Sequence, residues 1–389
     1  MTMNINTDVF KFITNNQTNK ISSLKFLWLI SIFIPLSLPL SGIIPYIITQ
    51  NTATLFIPFL MAYVVMPLLD TFIGEDTGNF SDEALKELEH DIFFNMLAAS
   101  TLFYGLSILI IGAWFTSYYE LGIVGFIAIS IFCGLSNGFT ILHAHELGHK
   151  KQNSFESVLA RFSLAIVCYP HFTIAHNRGH HKWVATPEDN SSSRLGESIY
   201  RFAYREVFGV IREGITLETQ RLNRKGKNFF CFKNTILQSL CISLILYTVL
   251  VFIFGIQVLV FILLHNIYAW FQLTSQNYVA HYGLLREKDK YGQYESPKPH
   301  HSWNSNHILS GLTMLNLERH SDHHANPMRP FQTLRNFDDI PRLPNGYYGM
   351  FVLAYIPPLW FSIMNKKVME LPHIKGDLTK VNIDPNMIK

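Results

Sequence analysis

The stretch ILHAHELGHKK, residues 141–151, contains His145-Glu146-Leu147-Gly148-His149. On a helix the two histidines share a face. Alone, the pentapeptide has the form of a zinc-hydrolase site, in which two imidazoles hold the ion and the glutamate polarises a water. Further histidines change that reading. His176, His180 and His181 follow in YPHFTIAHNRGHHKW at i, i+4 and i+5, and His281 lies in SQNYVAHYGLL. His320, His323 and His324 stand at i, i+3 and i+4 in LERHSDHHANP, a spacing that shares one helical face. Zinc uses three or four protein ligands, so two of these segments would already saturate one ion. Nine imidazoles suit two metals of higher coordination number. Two octahedral ions offer about 12 positions and would leave a few for dioxygen or water. Imidazole serves iron, zinc, copper and nickel alike, so ligand type alone does not choose the metal.

Other residues in the same segments are candidates to orient the ligands through an outer ring of hydrogen bonds. They are His171, Asp189, His300, His301, Asn304, His307 and Asp322. His143 points away from the face that carries His145. His90, His265 and His373 stand apart and read as ordinary polar residues.

The elements that must position these groups are apolar. Of the 389 residues 49% are hydrophobic and only 15% charged, against about 25% charged in a typical soluble domain. The net charge of +3 and the lack of a basic run interleaved with aromatics exclude a nucleic-acid partner. Apolar stretches long enough to cross a bilayer, about 20 residues each, run over 26–48, 53–73, 92–113, 119–142, 235–254 and 257–279. The first follows a polar segment and is too long for a signal-peptide core, so it reads as a span. Pro35, Pro39 and Pro45 should kink or break it. A further stretch over 347–364 is interrupted by Pro357-Pro358 and reads as an interfacial or re-entrant helix.

Six spans place both termini on one side. The connections 49–52 and 114–118 lack Lys and Arg, whereas 1–25, 74–91, 143–234 and 280–389 hold nearly all of them. The positive-inside rule makes the second side cytoplasmic. The expected fold is an all-α integral membrane protein: six transmembrane helices and a cytoplasmic histidine-rich cap built from 143–234 and 280–389, forming one domain over 1–389. Cys133, Cys168, Cys231 and Cys241 form no CxxC pair. The chain therefore carries no iron–sulfur or rubredoxin-type site of its own.

The boxes HELGHK, HNRGHH and RHSDHHA, with NYVAHYG, PHHSWNSNH and LLDTFIGED, resemble the membrane-bound alkane 1-monooxygenases and their xylene-monooxygenase relatives. That group lies within the integral-membrane fatty acid desaturase/hydroxylase superfamily, and the resemblance runs from about residue 55 to about residue 350. It implies a di-iron centre on the nine histidines (145, 149, 176, 180, 181, 281, 320, 323 and 324). It makes Glu146 an outer or structural residue instead of a protease base. It also implies terminal hydroxylation of an apolar chain with O2 in a bacterial inner membrane, with electrons passing from rubredoxin reductase through rubredoxin. A fatty-acyl desaturase or hydroxylase, or a xylene-type methyl hydroxylase, is the alternative with the same metal chemistry. Two positions depart from the family pattern: Ala175 and Ala280 stand where glutamate usually precedes the histidine, which implies altered tuning or substrate. For a small acidic rubredoxin, the basic residues joining spans four and five (Arg201, Arg205, Arg212, Arg221, Arg224, Lys225 and Lys227) are the expected docking surface.

Overall fold

The computed structural model describes residues 25–151 and 154–387. The polar segment ahead of Lys25, expected on the histidine side, lies outside the described residues. Six helical segments are long and apolar enough to cross a membrane: α1 Lys25–Thr49, α2 Thr52–Ile73, α4 Ile92–Tyr118, α5 Gly122–Gly148, α9 Thr235–Phe254 and α10 Val258–His281. Between them lie α3 Asp82–Glu89, α6 Phe155–Ile166, a helical run α7 from Phe172 to Trp183, and α8 Ile199–Asn223. The C-terminal part adds α11 Ile308–Thr313, α12 His320–Ala325, α13 Tyr347–Ala354 and α14 Pro357–Met369. With no named strand among the described residues, the fold is the expected all-helical one.

The short connections meet at one end of the bundle. Tyr46 donates to the Glu120 carbonyl (3.1 Å) and packs on Tyr119, while Tyr118 packs on Phe254 beside the α9–α10 turn. The histidines gather at the other end. The three prolines do not break α1, which is helical from Ile30 to Thr49. Each frees a carbonyl four residues earlier, at Ser31, Pro35 and Ser41. Membrane bundles tolerate this where neighbours cover the freed group, and Ser31 and Pro35 are buried. The Pro357-Pro358 interruption does divide α13 from α14, and their 8 and 13 residues are too few to span.

The fourth span runs six residues beyond its expected end, because nothing in FTILHAHEL breaks a helix; HELG is therefore the final turn of α5. Close packing against α10 aims that turn. A Cβ at Gly134 would lie 2.4 Å from the His265 carbonyl oxygen, and one at Gly138 would lie 2.5 Å from Gln272 Cβ. Two small residues four apart let the backbones approach. Asn137 and His265 then bond across the seam (2.8 Å), His265 completing its valence on Asn266. The crossing brings the His149 end of α5 beside the His281 end of α10.

Candidate metal centre

Nine buried or half-buried histidines converge at this end in two adjoining groups. The first contains His145, His149, His176, His181 and His323, and the second His180, His281, His320 and His324. In the first, Nε2 of His145 lies 2.7 Å from that of His176 and 2.9 Å from that of His149, and His181 Nε2 lies 2.9 Å from His176 Nε2. In the second, His320 Nε2 lies 3.1 Å from His281 Nε2 and 2.9 Å from His324 Nε2. The closest rings across the divide, His181 and His324, have centroids 4.7 Å apart.

Local structure decides which histidine goes where. In an α-helix, five residues at about 100° each end about 140° away from the start, so His176 and His181 would diverge. Residues His176–His180 instead form a π-turn, and the His181 N–H bonds the His176 carbonyl. The wider turn returns His181 to the His176 face and sends His180 to the other group. α12 also divides its ligands, sending His323 to the first group and His320 and His324 to the second.

The arrangement fits metal ions better than hydrogen bonds. Like atoms point at one another, and no placement of protons satisfies five converging Nε2 atoms. Ligands at 90° around one ion with metal–nitrogen bonds near 2.1 Å sit about 3.0 Å apart, which matches the spacings found. The buried Nε2 atoms of His180 and His323 have no protein partner. Two outward nitrogens are held: His180 Nδ1 meets Asp189 at 2.8 Å, and His320 Nδ1 donates to the Leu317 carbonyl at 3.1 Å. In the neutral ring, the form a metal would require, each bond fixes the proton on Nδ1 and turns the Nε2 lone pair inward.

Burial keeps most of these rings neutral. It pushes His149 and His320 down to about 3, and nearby cationic charge adds to the effect, from Lys150 and His180 respectively. His176, His181, His323 and His324 are held well below the usual histidine range by burial and then by their neighbours. His180 is the exception. Burial disfavours its charge, but the Asp189 carboxylate, with Glu206 and Glu213, outweighs burial and raises it. For the depressed group the unfolded chain binds more protons once pH falls below the ordinary value near 6.5, so stability is complete above that pH and is lost towards pH 3. Metal-free protein is therefore expected to show a lower Tm at pH 5 than at pH 7.5. Metal-loaded protein should hold its Tm over the upper part of that window. Equal Tm values for the metal-free form at both pH values would contradict this picture of the rings.

The outer candidates divide. Asp189 binds His180 and is itself held by Ser192 Oγ (2.6 Å) and the Ser191 N–H (3.1 Å). Asn304 accepts from the Ser321 N–H (2.8 Å) and so pins the first turn of α12. Asp322 touches no histidine; it accepts from the Arg335 N–H, Asn326 and Arg329 and fixes the turn after the box. Glu146 pairs with Lys150 at 3.3 Å and belongs to neither histidine group, against the hydrolase role. His171 abuts α8, where a Cβ at Gly214 would lie 2.7 Å from its Cβ, and its buried Nε2 bonds none of the nine histidines. His307 lies beside Ser305 and Glu75. His143 is occupied by Tyr104 and the Thr313 carbonyl, as its helix face implied.

His300 and His301 gather with Glu295 apart from the nine. This third group differs chemically. His301 Nδ1 accepts from the Lys298 N–H at 2.9 Å, so its proton sits on Nε2, facing Glu295 at 3.2 Å. Both nitrogens of His301 are therefore engaged within the protein.

Ala175 and Ala280 are both buried. Ala175 lines a small cavity with His176 and His180, and α8 brings buried Glu206 and half-buried Glu213 to the same cavity. Burial raises the pKa of both glutamates. Sequence reading missed them because they lie more than twenty residues from the nearest box.

The basic surface needs correction. Arg221 is buried against Glu218 (2.6 Å), Arg205 pairs with Glu197 (2.8 Å), and Arg201 reaches Asp384 (2.9 Å). These three are structural. Arg212, Arg224, Lys225 and Lys227 have no carboxylate partner among the described residues. A cleft lined by Gly148, Lys150, Arg161, Asn177 and Arg178 adjoins His149 and His176, and its cations flank the boxes in sequence yet escaped notice there.

Comparison with known proteins agrees with the geometry. The family model for fatty acid desaturase matches residues 121–354. The chain is 43% identical over 365 residues to alkane 1-monooxygenase 1 of Alcanivorax borkumensis, covering 93% of this chain and 89% of that one. It is also 43% identical to alkane 1-monooxygenase of Pseudomonas putida over the same shares. A xylene/toluene monooxygenase hydroxylase component of Pseudomonas putida is 28% identical over 60% of this chain. An apolar bundle with histidines massed at one end, a desaturase-type core and near full-length likeness lead to one conclusion: the chain belongs to the alkane 1-monooxygenase family of membrane oxidoreductases.

Proposed function

We propose that this chain hydroxylates the terminal carbon of an apolar alkyl substrate with O2 at two irons held by the nine histidines. Electrons would come from rubredoxin and its reductase. The observation that carries the reading is the pair of histidine groups at one end of the bundle, with an apolar cavity between the spans that reaches α5 one turn before His145. That cavity is lined by Leu38 of α1, Tyr63 and Met66 of α2, Phe139 and Leu142 of α5, and Phe351 of α13. Leu142 precedes His145 by one turn, about 4.5 Å along the axis. An unactivated C–H bond yields to no side-chain acid, base or nucleophile, and bound iron would supply the activation of oxygen. The protein's share is to orient the imidazoles, exclude water with the apolar walls, and present the chain end first.

Lys and Arg are missing from the connections Gln50–Asn51, Tyr119–Leu121 and Gly255–Gln257 at the far end. This supports a cytoplasmic histidine face, and the bacterial relatives support an inner-membrane setting. Purified protein supplied with a linear alkane, rubredoxin, reductase and ¹⁸O2 should yield labelled terminal alcohol and contain iron. An alkene product would make it a desaturase, and zinc without oxygenation would revive a hydrolase.

Docking of an acidic donor is assigned to the cations left unpaired near the cleft. Arg224→Glu with Lys225→Glu should raise the KM for rubredoxin several-fold and flatten its salt dependence, with iron content unchanged. Screening acts over about 10 Å at 0.1 M salt, so the parent's advantage should shrink above that concentration. An unaltered KM and salt response would move the docking surface away from the C-terminal end of α8.

A further inference from the structure

α8 has three faces where a cap helix standing in water would have two. Phe202, Glu206, Val210, Gly214 and Glu218 are buried. Arg201, Arg212 and Thr216 form an exposed polar face. Between these two faces, within about 80° of the helix circumference at about 100° per residue, stand four large exposed side chains. They are Tyr200, Tyr204, Phe208 and Ile215, 56%, 72%, 56% and 41% exposed.

This stripe continues a surface already apolar. Tyr200 stacks on Phe271 of α10 and donates to the Tyr355 carbonyl at 2.8 Å. Along α10, Ile267 and Leu263 are exposed, as are Ile356 and Leu359 around the start of α14. Phe271 precedes His281 by ten residues, about 15 Å of helix. The N-terminal end of α8 therefore sits below the histidines, at a depth reached by the spans. Farther along, Glu218 accepts from the Thr235 N–H at the start of α9 (2.7 Å), so α8 lies across the ends of two spans.

We propose that α8 lies in the plane of the bilayer surface, with Tyr200, Tyr204, Phe208 and Ile215 seated at the headgroup–acyl boundary and Arg212 and Thr216 turned to water. Aromatic rings with a polar edge favour that layer, and a helix with an apolar stripe beside a cationic face binds there. The contact has a consequence for the metal site. α8 braces the second histidine segment, through Gly214 against His171 and Glu213 against Gly179. Lipid contact would thus press the brace onto α7.

The inference rests on the six spans lying in a bilayer, and the test separates the two. Unmodified protein in lipid nanodiscs is photolabelled with two phosphatidylcholines, one carrying a diazirine near the headgroup and one near the acyl terminus. Labelled residues are then located by mass spectrometry. The headgroup-level probe should mark Tyr204 and Phe208 several-fold more than Arg212 and Thr216, and Phe208→Glu should reduce marking of the stripe. The acyl-terminal probe should mark the exposed faces of the spans, such as Leu263. If Leu263 is marked while α8 is unmarked, or is marked equally on both faces, the proposal falls and the membrane reading stands. Protection of the stripe only in an oligomeric fraction would assign it to a second copy and overturn the proposal. Failure to mark Leu263 as well would reject the membrane reading itself.

Discussion

His320→Ala is expected to abolish oxygenation and lower iron from about two ions per chain to about one, because it empties a position in the second group alone. That group has four imidazoles, His180, His281, His320 and His324, and His320 Nε2 is within 3.1 Å of both His281 and His324 Nε2. His145→Ala should do the same through the first group, whose five imidazoles include its partners His149 and His176. The double variant should lose both ions. Iron per folded chain is measured on the monodisperse fraction of detergent-solubilised protein, so misfolding is not counted as lost metal. Full turnover with either histidine removed would reject the ligand assignment. Loss of both irons from each single variant would show that the groups load as one unit.

Asp189→Ala should weaken iron binding or turnover about 10- to 100-fold, the usual cost of removing a carboxylate that orients a metal-binding imidazole. Asp189 is fully buried and its Oδ2 takes both the His180 Nδ1 proton and Ser192 Oγ. Without it, His180 loses its fixed tautomer and its ring is free to turn from the second group. Ser192→Ala removes only one of the hydrogen bonds that hold the carboxylate and should cost much less. The decisive readout is the rate at which a chelator strips iron from folded protein at constant pH. A parent-like rate together with a lowered Tm would make Asp189 a fold residue only.

The larger architecture was legible because lipid imposes simple rules. A span needs about 20 apolar residues and must satisfy its own backbone, so composition alone located the six helices within a few residues. Prolines misled at α1 because their damage depends on what covers the freed carbonyls, and neighbouring helices provide that cover. The end of the fourth span was placed too early because hydropathy falls at His143 while the helix continues to Gly148. Polarity marks where lipid ends. It does not mark where hydrogen bonding ends.

The sequence by itself determined which nine histidines are candidate ligands, their four segments and the membrane setting, because imidazole spacing and apolar runs are local properties of residue type and order. Tertiary structure alone decided the five-and-four division, since a π-turn separates His180 from His181 and α12 shares its histidines between groups. It also decided which cations remain available, because Glu197, Glu218 and Asp384 occupy Arg205, Arg221 and Arg201. Glu206 and Glu213 share a cavity with Ala175 only because α8 folds over α7. Ion pairing and close approach depend on the distance between chain segments, and spacing along the chain does not carry that distance.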